Sequence, residues 1–180
     1  MNGQTSESLL SLFDTARLTP RYWFTFGLLA LITVLEFFDF LVVGFLVAVL
    51  GPQWHLTYGE SAVILYSGGV GAIAGAIIWG ALSDAWGRKT QLVIGTFICG
   101  IGAGGLGFVP AGSWEIFAIL RFVVGFGLTA AVTPCLTIVV EPAPTRWRTS
   151  LSSFYVVFAT AGTLVASATS AALLAALGWR

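Results

Sequence analysis

The sequence predicts an all-α membrane protein with five transmembrane helices. Hydrophobic residues make up 57% of its 180 residues and charged residues only 9%, whereas soluble domains average about 25% charged residues. The apolar residues fall into five segments, each long enough to supply the roughly 20 residues that a helix needs to cross a bilayer. These observations argue against a soluble fold and make the lipid bilayer the expected surroundings of the chain.

The predicted transmembrane domain covers residues 22–180. Turn residues or charges, such as Gly51-Pro52 and the charged stretch 84–89, interrupt the apolar sequence between spans. Because these connections are short, consecutive spans should run antiparallel to one another. A sixth apolar segment is not seen, so we expect a chain that ends early. The five spans lie at about 22–50, 60–82, 91–109, 114–140 and 150–177.

The segment 1–21 before the first span is polar or amphipathic. Leu9, Leu12 and Phe13 share one helical face, which predicts a short interfacial helix in a cytoplasmic N-terminal segment. Lysine and arginine mark cytoplasmic loops, and here they favour an N-terminus inside and the end of this chain outside. We expect an integral protein of a bacterial inner membrane. In this orientation the cytoplasmic side holds Arg17, Arg21, Arg88, Lys89, Arg146 and Arg148.

Three charged residues fall inside the predicted spans. Glu36 and Asp39 stand three positions apart in the first span, so a helix places them on one face. Arg121 is a base in the fourth span that can pair with them. An Asp at the centre of a membrane helix costs about 2.5 to 3.5 kcal/mol on insertion scales, so such residues tend to face a protected interior. They predict a polar centre that responds to ions, with Asp39 as the nearer partner of Arg121.

The connection between the second and third spans carries a small, charged motif. Gly80 allows close approach of helices, and Gly87 allows a tight turn. Arg88 and Lys89 keep the loop on the inner side. Asp84 stands at a helix end, where it can pair with a base or cap a neighbouring helix. An ordinary basic turn is an equally good interpretation of this spacing.

Small residues recur at helical spacing in the second span. Gly71 and Gly75 are four residues apart, and Gly68 begins another row with the same spacing. Such rows allow close contact between helices in lipid, which we favour over a role in lining a substrate cavity. Pro134 predicts a kink in the fourth span, since proline removes a backbone hydrogen bond.

Charge and motifs exclude several classes of function. The formal net charge is zero, which argues against nucleic acid as a partner. The sequence shows no Ser/His/Asp set, metal-binding cluster or phosphate-binding loop, so we expect no enzyme activity, no cofactor and no metal. Cys99 and Cys135 fall inside apolar segments and are expected to be buried thiols.

The loop between spans two and three resembles the signature of the major facilitator superfamily, Gly-x-x-x-Asp-(Arg/Lys)-x-Gly-Arg-(Arg/Lys). Ala85 departs from this signature, because the family usually has a basic residue there. The residues of this chain that match the signature are Gly80, Asp84, Gly87, Arg88 and Lys89.

Three further motifs agree with this resemblance. In span four, Arg121-x-x-x-Gly125-x-Gly127 resembles the family's fourth-helix motif, and both glycines are expected to pack against neighbouring helices. Glu141-x-x-Pro144-x-x-x-Arg148 resembles the sugar-porter and organic-ion branches. The stretch Leu35 to Phe40 resembles the first helix of metabolite:proton and aromatic-acid:proton symporters.

The resemblance implies helices one to five of the six-helix bundle that forms the N-terminal half of a twelve-helix transporter. Such proteins move small solutes by rocking two halves about a site near the midplane. The expected function is proton-coupled symport of a small organic solute, an organic acid or a sugar-like metabolite, by alternating access. The expected partners are this solute, the proton and the missing second half or a larger membrane assembly.

The resemblance also implies roles for the charged residues. Asp39 and Arg121 match the pair that acts as a protonation switch in proton-coupled relatives; a static ion pair that fixes helix packing is the alternative. Glu36 is a second proton site, a substrate contact or a carboxyl held neutral by a neighbour. Glu141 and Arg148 should form a gating network with Asp84, Arg88 or Arg146 that stabilises the outward-open state.

A second hypothesis is a truncated relative that does not transport. Because the sixth span and the second half are not seen, the chain could serve as an accessory or structural subunit of a larger membrane complex. The charges inside its spans favour the transporter, since a purely structural remnant has less reason to keep them.

Overall fold

The computed structural model describes residues 18–176, with side chains at all of these positions except 84 and 174–176. The described residues form five helices, each long and apolar enough to cross a membrane, and contain no strand. The predicted all-α fold with five transmembrane helices is therefore confirmed. The predicted interfacial helix around Leu9 to Phe13 lies outside the described residues. The helices are α1 (Pro20–Gln53), α2 (Tyr58–Trp86), α3 (Arg88–Leu106), α4 (Trp114–Val140) and α5 (Thr145–Ala176).

Local capping decides where the first two helices begin. The side chain of Thr19 accepts a hydrogen bond from the backbone N–H of Tyr22, and Pro20 occupies the first turn of α1, where its missing N–H costs nothing. Thr57 and Glu60 form a capping box, in which the Thr57 backbone N–H donates to Glu60 Oε2 at 2.7 Å. This box starts α2 just before the predicted span.

The ends of α1 and α2 are set by proline and glycine. α1 continues through Pro52, where we predicted a break, because a proline in the last turn interrupts few remaining hydrogen bonds. Gly87 lies between α2 and α3 with a φ of 80°. This left-handed conformation is readily adopted only by glycine, so Gly87 allows the two helices to follow each other directly.

α4 is the central helix of the bundle. It packs along both α2 and α3, while α1 packs mainly along α5. In its most apolar stretch 44% of residues are buried, against 17–22% in the other four helices. Two apolar clusters lie at opposite ends of this packing. One includes Phe26, Leu29, Val139 and Tyr155; the other includes Val43, Ile64 and Phe117.

Glycines bring α2 and α4 into backbone contact. A Cβ atom at Gly71 would collide with the backbone of Phe122, and one at Gly75 would lie 2.8 Å from the carbonyl oxygen of Phe126. A Cβ atom at Gly125 would collide with the backbone of Gly68. The two helices can lie this close only because these positions lack side chains.

Glycines also bring α3 and α4 into close backbone contact. A Cβ atom at Gly127 would lie 2.6 Å from the backbone nitrogen of Cys99, and one at Gly95 would lie 2.8 Å from the carbonyl oxygen of Gly127. Gly80 behaves differently, because a Cβ atom there would meet no described atom within 4 Å. The close helix approach predicted at Gly80 is therefore not found within the described part of the chain. At this level of α2 the neighbouring Trp79 makes the contact with α4, where its Nε1 donates to the Phe126 carbonyl oxygen at 3.1 Å.

Candidate functional site

An ion pair joins α1 to α4 between the two apolar clusters. Arg121 Nη1 lies 3.0 Å from both Oδ1 and Oδ2 of Asp39, and Nη2 lies 3.4 Å from the Asp39 carbonyl oxygen. The Arg121 side chain is 5% exposed and the Asp39 side chain 23% exposed. A guanidinium that donates to both carboxylate oxygens makes a strong, charge-assisted contact. The structure thus brings together the two residues that the sequence analysis singled out.

The pair borders a cavity of about 220 Å³ between α1, α2 and α4. Asp39 and Arg121 are its charged lining residues, and the remaining lining is small or apolar. Gly68 lies opposite Arg121, with its Cβ position 3.6 Å from the Arg121 carbonyl oxygen. The charges therefore border a partly open space between the helices, as expected for charged residues in apolar helices.

Glu36 lies one turn from Asp39 on α1, but the structure does not bring it to Arg121. The residue is 6% exposed. Neither of its carboxylate oxygens has a hydrogen-bond partner among the described residues. Glu36 lines a cavity of about 280 Å³ with Phe37, Phe40 and Thr133. It also lines a cavity of about 260 Å³ with Asp39, on the side of α3.

A fourth cavity, of about 470 Å³, lies between α1, α4 and α5. It shares Phe37 and Thr133 with the smaller cavity beside Glu36, so the two adjoin. The hydroxyl groups of Thr33 and Tyr155 are hydrogen-bonded to each other at its wall. This cavity was not predicted from the sequence. The feature that could have indicated it is a set of hydroxyl residues at helical spacing in otherwise apolar helices. The hydroxyl residues that line it are Thr33, Thr133, Tyr155, Thr160 and Thr163.

The residues of the motifs around the α2–α3 and α4–α5 connections are only partly brought together. Arg88 Nη1, at the start of α3, forms an ion pair with Glu141, which follows α4. Both side chains are about half exposed, at 43% and 58%. Arg148 instead donates from Nε to the carbonyl oxygen of Ala143 at 3.0 Å, because the turn before α5 brings that carbonyl within reach. Lys89 is exposed to the surroundings of the bundle.

The chemistry available at this site is binding and proton exchange. Its polar core consists of two acids and one base, set among apolar and hydroxyl side chains. Within residues 18–176, no group of three or more His, Cys, Asp or Glu side chains is arranged to hold a metal ion.

Comparison with known proteins gives relatives that are named as transporters. The chain is 30% identical over 138 residues to the niacin transporter NiaP of Acinetobacter baylyi, a match that covers 77% of this chain and 31% of that protein. It is 29% identical over 167 residues to a gallate transporter of Pseudomonas putida, covering 93% and 37%. It is 30% identical over 190 aligned residues to the myo-inositol transporter 2 of Cryptococcus neoformans, covering 99% and 33%.

The chain spans about a third of the length of these relatives. No solved structure matches it. The family model of the Major Facilitator Superfamily matches residues 29–180, which is most of the sequence. The five helices, the loop motifs and this match agree: the chain belongs to the major facilitator superfamily, and it corresponds to helices one to five of the family's N-terminal half.

Proposed function

We propose that this chain is the N-terminal part of a proton-coupled secondary transporter for a small organic solute. The observation that carries the proposal is the ion pair between Asp39 and Arg121, which lies within two apolar helices and borders a cavity. A charge pair in this position is costly to keep in a membrane. It becomes useful if one partner changes its charge during a transport cycle.

The proposed mechanism is alternating access coupled to the charge of Asp39. Protonation of Asp39 removes its attraction for Arg121 and so loosens the link between α1 and α4. The two charge states then favour different arrangements of the helices, as a population shift requires. In the complete transporter, this half would rock against a second half about a shared substrate site.

The proposed solute is an organic acid or a sugar-like metabolite. Niacin and gallate are organic acids and myo-inositol is a polyol, and these are the solutes named for the relatives. The cavity between α1, α4 and α5 supports a ligand of this kind, because it combines the ring of Phe37 with several hydroxyl groups. Its volume of about 470 Å³ falls in the range of about 300–1,000 Å³ that is typical of small-molecule sites.

The ion pair of Arg88 and Glu141 is proposed to act in gating. It joins the start of α3 to the end of α4 at the side where Arg146 and Arg148 also lie. We place this side in the cytoplasm, because it is rich in arginine and lysine. The N-terminus of the chain would then be cytoplasmic, and the bacterial relatives support the inner membrane as the location.

The accessory-subunit hypothesis is less well supported. The relatives described above are named as transporters, and the intramembrane charges contact each other and border cavities. A structural remnant would not need this arrangement.

Uptake by the full-length protein in liposomes tests the proposal. Radiolabelled nicotinate, gallate and myo-inositol serve as probes, and a proton gradient is imposed with the inside alkaline. We expect at least one probe to accumulate in the vesicles and the accumulation to collapse when a protonophore is added. If transport of every probe is unaffected by the proton gradient, the proposed coupling is wrong. Empty liposomes control for passive entry of the probes.

A further inference from the structure

We infer that Glu36 is a second proton-carrying site. Glu36 holds a proton while Arg121 binds Asp39, and Glu36 then donates this proton to Asp39, which releases the ion pair. The donating step rests on the proposed proton coupling, whereas the protonated state of Glu36 can be tested independently. The Glu36 side chain is unusual for an acid. Glu36 is nine-tenths buried, at 6% exposure, and both carboxylate oxygens lack a hydrogen-bond partner among the described residues.

An ionised carboxylate is unfavourable in this setting. A buried charge is tolerated when it is paired and hydrogen-bonded; otherwise the group neutralises instead. Arg121, the cation within reach of this region, already donates to both oxygens of Asp39. Glu36 is therefore neutral in the arrangement that the structure shows, which means that its carboxyl group carries a proton.

Apart from Arg121, the described titratable groups around Glu36 do not supply a positive charge. Thiol and phenol groups are neutral or negative in any protonation state, so they cannot balance an ionised Glu36. The groups that surround it on the packed helices are Asp39 on α1, Cys99 on α3, Arg121 and Cys135 on α4, and Tyr155 on α5.

Two cavities give the Glu36 carboxyl group routes for proton exchange. The cavity beside α4 connects Glu36 with Thr129 and Thr133 and adjoins the larger hydroxyl-lined cavity. The cavity beside α3, of about 260 Å³, is lined by both Glu36 and Asp39. A space of this size has room for several water molecules, and the two carboxyl groups and Thr96 offer them polar partners. Water in this cavity can pass a proton from one carboxyl group to the other.

The transfer step balances in charge. The proton leaves a Glu36 carboxyl oxygen and binds an Asp39 carboxylate oxygen, so Glu36 becomes negative and Asp39 becomes neutral. The summed charge of Glu36, Asp39 and Arg121 stays the same. Arg121 loses its ionic partner and is attracted towards Glu36, one helical turn away. A proton from the surrounding solution, carried by water through the cavity beside α4, then binds Glu36 again.

Infrared difference spectroscopy tests the protonated state without any substrate. The full-length protein is studied in lipid at neutral pH, and the signal is the carbonyl stretch of a protonated carboxyl group. We expect this band in the wild type, its loss in Glu36→Gln, and its retention in Glu115→Gln. Glu115 is an exposed acid in the first turn of α4 and serves as the matched control. A band that persists unchanged in Glu36→Gln overturns the assignment.

Uptake in liposomes tests the donating step, with the nicotinate, gallate or inositol probe that the wild type accumulates. We expect Glu36→Gln to lose gradient-driven accumulation while probe exchange stays measurable, and Glu36→Asp to keep accumulation because it keeps a carboxyl group. Equal accumulation by wild type and Glu36→Gln, with the same pH dependence, overturns the relay. If the wild type itself shows no proton-driven uptake, the proposed function fails, and the infrared result still decides the state of Glu36.

If Glu36→Gln fails to fold, Glu36→Asp provides the test. Glu36→Asp keeps the charge chemistry but moves the carboxyl group, so its infrared band should shift in frequency. A Glu36→Asp protein that folds and shows an unshifted wild-type band contradicts the assignment of that band to residue 36.

Discussion

Arg121 on α4 binds the carboxylate of Asp39 on α1 through one guanidinium nitrogen, Nη1, which lies 3.0 Å from both carboxylate oxygens. The two helices otherwise touch much less than α1 touches α5 or α4 touches α2 and α3. The pair is therefore a polar link between two parts of the bundle, α1 with α5 and α2 with α3 and α4. A change in the charge of either residue acts directly on the contact between these parts.

Asp39→Asn should abolish the coupling of transport to the proton gradient. Asparagine has nearly the same shape but cannot ionise, so Arg121 loses its charged partner and the proposed switch stays in one state. In liposomes that contain the full-length protein, we expect no proton-driven accumulation and measurable exchange of labelled for unlabelled solute. Glu115→Gln, which changes an exposed acid in the first turn of α4, should behave like the wild type. Accumulation by Asp39→Asn with an unchanged pH dependence would refute Asp39 as the coupling acid.

Arg121→Ala should lower the free energy of unfolding more than the double variant that changes both Arg121 and Asp39. Removing one member of a buried ion pair leaves an uncompensated charge and costs about 3–5 kcal/mol, and the lower end applies here because Asp39 keeps some exposure. The double variant Asp39→Asn/Arg121→Ala should recover part of this loss. Denaturant unfolding in detergent, analysed as a double-mutant cycle, measures the coupling between the two residues. Strictly additive effects would show that the pair contributes no mutual stabilisation.

Gly71→Ala and Gly80→Ala should have opposite effects on stability, although both glycines lie in α2. A methyl group at position 71 collides with the Phe122 backbone, and overpacking of this kind costs about 1–3 kcal/mol. At position 80 a methyl group meets no described atom within 4 Å, so alanine should gain about 0.5–1 kcal/mol through its higher helix propensity. The midpoint of thermal unfolding for each variant checks this. Equal midpoints would mean that α2 and α4 are not in backbone contact at Gly71.

Reversal of the Arg88–Glu141 pair should change gating more than stability. The two side chains are about half exposed, and exposed ion pairs contribute roughly 0–1 kcal/mol. We expect Arg88→Glu to repel Glu141, to shift the balance between inward-open and outward-open states, and to leave the unfolding midpoint nearly unchanged. Labelling of an introduced cysteine on the cytoplasmic side measures this balance. Arg88→Glu/Glu141→Arg should restore the wild-type labelling rate; a double variant that labels like the single one contradicts the pairing.

Tyr155→Phe tests the hydroxyl-lined cavity between α1, α4 and α5. The change removes the hydrogen bond with Thr33 and one polar group of the cavity wall. For a solute that binds there, we expect a higher KM for uptake with a smaller change in the maximal rate. Tyr66→Phe, which removes an exposed phenol hydroxyl on α2, is the matched control. An unchanged KM in Tyr155→Phe would place the solute elsewhere.

The sequence by itself determined the five helices and the presence of charged residues inside them. Long apolar runs become helices in a bilayer because every backbone polar group must be paired within the segment, and this requirement is local. The spacing of Gly71 and Gly75 likewise indicated a thin face on α2, since residues four apart share one side of a helix.

Only the tertiary structure decided which side chains meet. Glu36 and Asp39 are on the same helical face in the sequence, yet the crossing of α1 and α4 brings Asp39 to Arg121 and leaves Glu36 without a partner among the described residues. The packing of the helices also leaves Gly80 without a described neighbour within 4 Å, and it forms a cavity lined by hydroxyl groups from three helices. The reason is that helical periodicity sets the direction of a side chain relative to its own helix, whereas its neighbours depend on how separate helices cross, and no local pattern encodes that.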